Sequence, residues 1–215
     1  MNSPASLPLF QSRVVPVIVV TDPAQAVPMA EALLAGGVDV MEITLRSAAG
    51  LAAIEAVARA VPEMQVGAGT VTRASEVAQV LAAGARFGLS PGSTPELLAA
   101  VLAAGLPFVP GVASPSEAMA ARDAGFTLMK CFPAAQLGGV EVLKAWGGPL
   151  PDLRFCPTGG VSLANMGSFL ALPNVAMVGG SWLTPAAAVK AGDWAQITRL
   201  AREATEAVAA LQISR

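Results

Sequence analysis

Eight short runs rich in β-branched residues recur along the chain, each separated from the next by a stretch of helical composition. The runs are Val14–Val20, Val40–Thr44, Gln65–Gly69, Phe87–Ser90, Pro107–Val109, Thr127–Lys130, Arg154–Pro157 and Val175–Val178. Between them lie Ala24–Leu34, Leu51–Ala60, Arg73–Ala83, Pro95–Ala104, Pro115–Ala124, Val140–Trp146 and Leu163–Leu170, most of them alanine-rich. Thr72, Thr94, Ser114 and Ser162 are candidate N-caps, with Pro95 and Pro115 at a first helical position, and Gly84, Gly105 and Gly125 follow helix ends. Parallel strands need crossover connections, and a helix after every strand supplies them. Eight such units in 215 residues predict one α/β domain, 1–215, folded as a (β/α)8 TIM barrel. An open doubly wound sheet is the alternative. Pro8 to Gln11 are expected to form a short N-terminal plug, and Trp194 to Leu211 an extra C-terminal helix.

Such a sheet, covered on both faces, explains a hydrophobic content of 54% without a membrane. The two longest uncharged stretches, Leu97–Ser116 and Phe155–Val189, are broken by Pro and Gly and could not remain helical across a bilayer. The apolar run Val14–Val20 holds a proline and lacks a cleavage site, so no secretion signal is expected. A net charge of −2 leaves no basic footprint for nucleic acid. Cys131 and Cys156 fall in apolar strand-like segments and read as reduced buried thiols of a cytoplasmic protein.

The chain has no histidine and no tyrosine. The commonest general base and the commonest metal ligand are therefore absent, and no metal site is expected. Of three lysines, Lys144 and Lys190 read as solvated helix charges. Lys130 instead closes the sixth run, placing an amine at the C-terminal end of a strand, where barrel enzymes hold substrate. Burial, with a cation such as Arg46 nearby, disfavours the ammonium and frees the lone pair for attack on a carbonyl. A structural ion pair is the alternative.

Glu42 interrupts the second run. Alternation puts Val38, Val40, Glu42, Thr44 and Arg46 on one side, as far as the strand continues. In an eight-stranded ring the second and sixth strands face each other, so Glu42 and Lys130 are expected to approach across the mouth. Without histidine, Glu42 is the natural proton shuttle; a salt bridge that merely neutralises Lys130 is the competing reading. Gly159-Gly160 and Gly179-Gly180-Ser181 follow the seventh and eighth runs, where barrel enzymes frequently bind phosphate through backbone N–H groups. Simple tight turns would use the same glycines.

These segments resemble the 2-dehydro-3-deoxy-6-phosphogluconate (KDPG) aldolases, class I enzymes of the Entner–Doudoroff pathway. The resemblance rests on Val14–Val20, Gly36–Arg46, Val66–Val71, Ser90–Gly92, Pro110-Gly111, Lys130–Ala134, Arg154–Gly160 and Gly179–Leu183. It implies Lys130 as the Schiff-base lysine and Glu42 as general acid/base, with Arg46 and Thr70 on the pyruvate carboxylate and neighbouring oxygens. It further implies Pro91, Phe132 and Thr158 around the substrate, and Gly159, Gly160, Gly179, Gly180 and Ser181 at the phosphate. The expected reaction cleaves KDPG, a sugar-acid phosphate, to pyruvate and D-glyceraldehyde 3-phosphate, with a possible side activity on 4-hydroxy-2-oxoglutarate. No cofactor or metal is implied beyond the covalent Schiff base, and the implied assembly is a homotrimer. Cys131 departs from the aromatic or aliphatic residue usual at its position; by alternation it points away from Lys130. Three rivals stand beside this reading: an aldolase for the galacto epimer, a non-covalent phosphate-binding barrel isomerase, and a sugar-phosphate binding protein.

Overall fold

The computed structural model describes residues 10–213, with side chains through Leu211. The strands are β1 (Val14–Ile18), β2 (Val40–Thr44), β3 (Gln65–Gly69), β4 (Phe87–Leu89), β5 (Phe108–Val109), β6 (Gly111–Val112), β7 (Leu128–Cys131), β8 (Arg154–Pro157) and β9 (Val178–Gly180). The helices are α1 (Ala26–Ala35), α2 (Gly50–Ala60), α3 (Ala74–Ala82), α4 (Pro95–Ala104), α5 (Pro115–Asp123), α6 (Gly139–Gly147), α7 (Met166–Leu170), α8 (Ala186–Ala191) and α9 (Trp194–Ile213). Every ladder is parallel, the pattern expected when helices cross between strands.

The fold is α/β, with its parallel strands divided between two sheets. One has six strands in the order β5-β4-β3-β2-β1-β9, the other three in the order β6-β7-β8. The division falls where the chain is chemically unable to continue a ladder. Pro110 sits between β5 and β6 and has no N–H to donate. Before it the segment pairs with β4, after it with β7, and the Pro110 carbonyl accepts from Lys130 N–H at 2.8 Å. The expected fifth strand is thus two short pieces that change partner at a proline. On the other side single bridges, Phe155 to Val175 and Thr158 to Gly179, connect β8 to the β9 segment.

Local chemistry explains most element boundaries. Thr94 Oγ1 accepts from Leu97 N–H at 3.2 Å and Ser114 Oγ from Glu117 N–H at 3.3 Å, each followed by a proline. Two expected caps are corrected. At α3 it is the Glu76 carboxylate that holds the first turn, accepting from the N–H groups of Thr72 and Arg73. Helix α7 begins at Met166 rather than near Leu163, because Asn165 ties its amide to Ser162 N–H and the Gly160 carbonyl. The eighth strand falls later than expected: Gly179 and Gly180, weak strand formers, pair with Val15 and Pro16. Helix α8 was not expected, since six residues between Pro185 and Gly192 carry too little periodicity.

The helix layer buries the outer faces of the strands, with Ile54, Val57, Leu97, Val101 and Leu143 nearly inaccessible. Helix α9, the expected terminal helix, covers the end of α1. Thr198 Oγ1 donates to the Ala32 carbonyl at 3.0 Å and Thr205 Oγ1 to the Gly36 carbonyl at 3.2 Å. Of the expected plug, Pro8 and Leu9 lie outside the described residues. Phe10 is buried, its ring centroid 5.5 Å from that of Phe87. Among the described residues no helix is long and apolar enough to cross a membrane.

Candidate active site

Strand β2 carries Glu42 and strand β7 carries Lys130, 88 positions later and in the other sheet. Their side chains meet at 2.9 Å, Nζ to Oε1, both almost wholly buried. A charged pair this far from water is costly to assemble and costlier to break, so the surrounding structure must hold both groups. Glu42 stands between Val40 and Thr44, whose backbone alternation turns all three inward, and all five β2 residues are buried. The ladder aligns Glu42 with Val17 on one side and Gly67 on the other.

Space for the carboxylate comes from Gly69. A Cβ at that position would lie 2.2 Å from Glu42 Oε1 and 2.6 Å from Cγ. No side chain fits there without displacing Glu42, which is why a strand tolerates glycine at this point. Glu42 Oε2 is buried without a hydrogen-bond partner. Such an acceptor is expensive unless a donor reaches it in the working state of the site.

Lys130 Nζ lies 5.6 Å from the centre of the Phe132 ring, in cation–π range. Phe132, Arg46, Thr158, Gly159, Gly160, Gly180 and Ser181, all singled out from the sequence, line one cleft of about 260 Å³ together with Val17, Val19 and Val161. Arg46 lies past the end of β2, is exposed, and donates from Nε to Thr70 Oγ1 at 3.3 Å. Thr70 has φ of +60°, an uncommon conformation for a β-branched residue and a mark of local strain. Thr70 is placed by that bond and does not itself line the cleft. Neither does Pro91, which packs against the backbone at Gly111, the ladder partner of Lys130. Gly179 lies behind Thr158, whose Oγ1 a Cβ at Gly179 would approach to 2.3 Å.

Gly159 and Gly160 have φ of +95° and +76°, a conformation that favours glycine. Gly159, Gly160 and Ser181 line the cleft, and among the described residues their N–H groups find no acceptor in the protein. The carbonyls of Thr158 and Gly159 are engaged instead, accepting from Ala134 and Ala135 N–H at 2.8 and 3.0 Å. A cleft wall of free donors suits an anion.

Cys156, which the sequence marks as a buried thiol, stands beside the candidate chemistry. Ladder pairing sets it directly beside Lys130 and on the same side, with Sγ 3.8 Å from Thr158 Oγ1. Burial pushes its thiol up to about 12, against the opposing influence of Lys130 and the Thr158 hydroxyl. Cys131 faces the other way, and burial pushes it up to about 12 as well. Alternation alone does not give the register of the seventh run against the sixth, so nothing in the sequence places Cys156 there. Gly69 is legible only as a glycine within a strand, not as the space it leaves for Glu42. No group of three or more potential metal ligands occurs among the described residues.

A family model described as KDPG and KHG aldolase matches residues 8–200. A 2-dehydro-3-deoxy-phosphogluconate aldolase from Pseudoalteromonas atlantica is 52% identical over 201 residues, covering 94% of each chain. Among solved structures, a KDPG aldolase from Legionella pneumophila, with pyruvate captured as a covalent carbinolamine intermediate, superposes with a TM-score of 0.87. It is 47% identical and the match covers 89% of this chain and 93% of that one. The corresponding aldolase of Zymomonas mobilis, crystallised with 3-phosphoglycerate, gives a TM-score of 0.85 at 42% identity, covering 90% of each chain.

Proposed function

This chain belongs to the KDPG and KHG aldolase family, and on that premise we propose that it cleaves KDPG to pyruvate and D-glyceraldehyde 3-phosphate through a Schiff base on Lys130. The observation that carries the residue assignment is the buried Lys130–Glu42 pair at 2.9 Å with one carboxylate oxygen left unpartnered.

In the resting site Glu42 holds Lys130 through Oε1. As the substrate ketone enters, Glu42 takes a proton from Nζ, and the neutral amine attacks C2 to form a carbinolamine. The protonated carboxyl then delivers that proton to the departing hydroxyl, giving water and an iminium. Glu42, again ionised, removes the C4 hydroxyl proton. The C3–C4 bond breaks, its electrons pass into the iminium to form an enamine, and the aldehyde leaves. Glu42 returns the proton to C3, and water hydrolyses the new iminium to pyruvate and free Lys130. One carboxylate suffices for these transfers, which suits a chain without histidine.

Arg46, held by Thr70, takes the substrate carboxylate, while Phe132 bounds the reacting carbons and Pro91 supports the wall behind them through Gly111. Thr158 reaches the hydroxyls. The N–H groups of Gly159, Gly160 and Ser181, with the adjoining Gly179-Gly180 strand end, take the phosphate, a role consistent with the phosphorylated ligand of the Zymomonas relative. The whole chain acts as one unit in this reading, its two sheets closing as a (β/α)8 barrel around the ion pair that spans them. It assembles as a homotrimer in the cytoplasm, uses no metal, and cleaves 4-hydroxy-2-oxoglutarate as a side activity.

Borohydride reduction in the presence of pyruvate, followed by peptide mass spectrometry, tests this. A reduced pyruvyl adduct on the Lys130 peptide is expected, with none in Lys130→Ala. Loss of the amine should also lower kcat by about 10⁶-fold, as removal of other covalent nucleophiles does. An adduct on Lys144 or Lys190, or none on folded protein, would sink the assignment.

A further inference from the structure

Lys130 and Glu42 stand in different sheets, so the 2.9 Å between them depends on how the two sheets are joined. On one side of the site the join is Pro110, where the chain changes ladder partner. The bonds leading up to it are regular. Gly88 N–H donates to the Pro107 carbonyl at 2.9 Å, and Ser90 N–H to the Val109 carbonyl at 3.4 Å. A parallel ladder repeats every two residues, so the next donor is Gly111 N–H and its regular acceptor would be the Ser90 carbonyl. That rung is replaced. Gly111 N–H donates at 3.1 Å to the side-chain Oγ of Ser90 instead.

Gly111 is the ladder partner of Lys130. The residues on either side of it face β7, the Pro110 carbonyl accepting from Lys130 N–H at 2.8 Å and the Val112 carbonyl from Phe132 N–H at 3.1 Å. The N–H and carbonyl of Gly111 therefore turn the other way, and each meets a serine of the segment between β4 and α4. Ser90 accepts from the N–H, while Ser93 Oγ donates to the carbonyl at 2.9 Å. A hydroxyl can play either part. The approach leaves no room for a side chain, since a Cβ on Gly111 would lie 2.3 Å from the Pro91 carbonyl carbon and 2.5 Å from Gly92 N. Ser90 is wholly buried, and neither serine lines the cleft.

Resting on the aldolase reading, we propose that Ser90 and Ser93 are positioning residues for Schiff-base formation. They clamp Gly111 to the six-stranded sheet, and through the Gly111–Lys130 register they hold Nζ at the Glu42 carboxylate. Glu42 must take a proton from Nζ before the amine can attack, so the rate of both steps follows the quality of that alignment. Without the Ser90 hydroxyl a buried N–H loses its acceptor, and β6 shifts to find another. The phosphate wall, carried by the loops after β8 and β9, lies outside this path.

The test compares the parent protein with Ser90→Ala and Ser93→Ala. Three quantities are read for each: the rate at which borohydride traps pyruvate on Lys130, kcat and KM for KDPG, and 3-phosphoglycerate affinity by isothermal titration. Ser90→Ala is expected to slow trapping and to lower kcat by about tenfold to a hundredfold, the upper figure being the cost of a misplacement of about 1 Å. KM for KDPG and the 3-phosphoglycerate affinity should stay at the parent values. Ser93→Ala should act in the same direction with a smaller effect. Trapping at the parent rate in folded Ser90→Ala protein, however far its melting temperature falls, overturns the proposal. So does an equal loss of trapping and of 3-phosphoglycerate affinity, which marks general loosening. If Ser90→Ala does not fold, Ser93→Ala decides by the same readings, because its half-buried hydroxyl acts on the same residue. A parent that traps no pyruvate is a separate result, removing the aldolase reading and the proposal with it.

Discussion

The two ends of the strands treat polar groups in opposite ways. At the N-terminal end Asp39, just before β2, accepts from Gln11 N–H at 2.8 Å, Ser12 N–H at 3.0 Å and Ser12 Oγ at 2.5 Å. Arg13, just before β1, donates to the carbonyls of Ala176, Val175 and Leu170 at 3.0, 3.1 and 3.4 Å. These bonds sew the incoming chain to β2 and to the segment after α7. At the C-terminal end Glu42 keeps an oxygen without a partner, Thr70 sits at positive φ, and three loop N–H groups find no acceptor. One end satisfies its polar groups within the protein; the other leaves valences open for something that enters. In parallel α/β folds ligands gather at the carboxyl ends of the strands, so open valences there suit chemistry and closed ones at the other end suit stability.

The contrast breaks most sharply at Glu42. Glu42→Gln keeps the shape of the side chain but can neither take nor return a proton, so kcat should fall by about 10² to 10⁴-fold. The same variant should still bind phosphorylated ligands, as isothermal titration with 3-phosphoglycerate can show; unchanged turnover would mean that another group carries the proton.

Gly69→Ala probes the same carboxylate indirectly. Its Cβ would stand 2.2 Å from Oε1, so Glu42 must move away from Lys130. A loss of about tenfold or more in kcat is expected, with a stability cost of roughly 1–3 kcal/mol for the crowding. Equal activity of the two proteins would show that the carboxylate has freedom to shift.

At the other end the pattern should invert. Asp39→Asn is expected to leave kcat unchanged and to lower stability by about 1–3 kcal/mol in urea titrations. The carboxyl titrates below its ordinary 3.8: burial raises it, but the bonds from Gln11 and Ser12 together outweigh that. A group depressed in the folded state stabilises above its unfolded value, and the contribution disappears as pH falls through the folded one. The difference between parent and variant should therefore be full at neutral pH and shrink below pH 3.8.

The smallest expected effect belongs to the buried thiols. Burial raises both from 9.0 to about 12, so the folded protein keeps them protonated where the unfolded chain would ionise. Their contribution is whole below pH 9.0 and is lost as pH climbs toward 12, which predicts a melting temperature that declines across that window. Ellman's reagent should react with native thiols at under about a tenth of the rate seen in urea. Fast native labelling would mean that the site opens more readily than its packing implies.

Much of this was legible in the sequence because it depends on local chemistry. Strands β2, β3 and β8 and helix α4 begin and end where hydrophobic period, proline and cap residues place them. The isolation of Lys130 and Glu42 among apolar neighbours marked both, since a charge in such a run needs a purpose. The glycine pairs were visible, as was the need for a carboxylate to move protons in a chain without histidine.

Tertiary structure decided what depends on who lies beside whom. Only packing shows that Gly69 clears the space for Glu42, that Cys156 lies beside Lys130, and that Thr70 holds Arg46. The exchange of ladder partners at Pro110 and the late start of β9 also escaped, because a strand's neighbours are set by the rest of the sheet rather than by its own residues. Sequence fixes the period and the chemistry of each segment within a few residues. Distances such as the 2.9 Å between Nζ and Oε1 join positions 88 apart, and no local rule reaches that far.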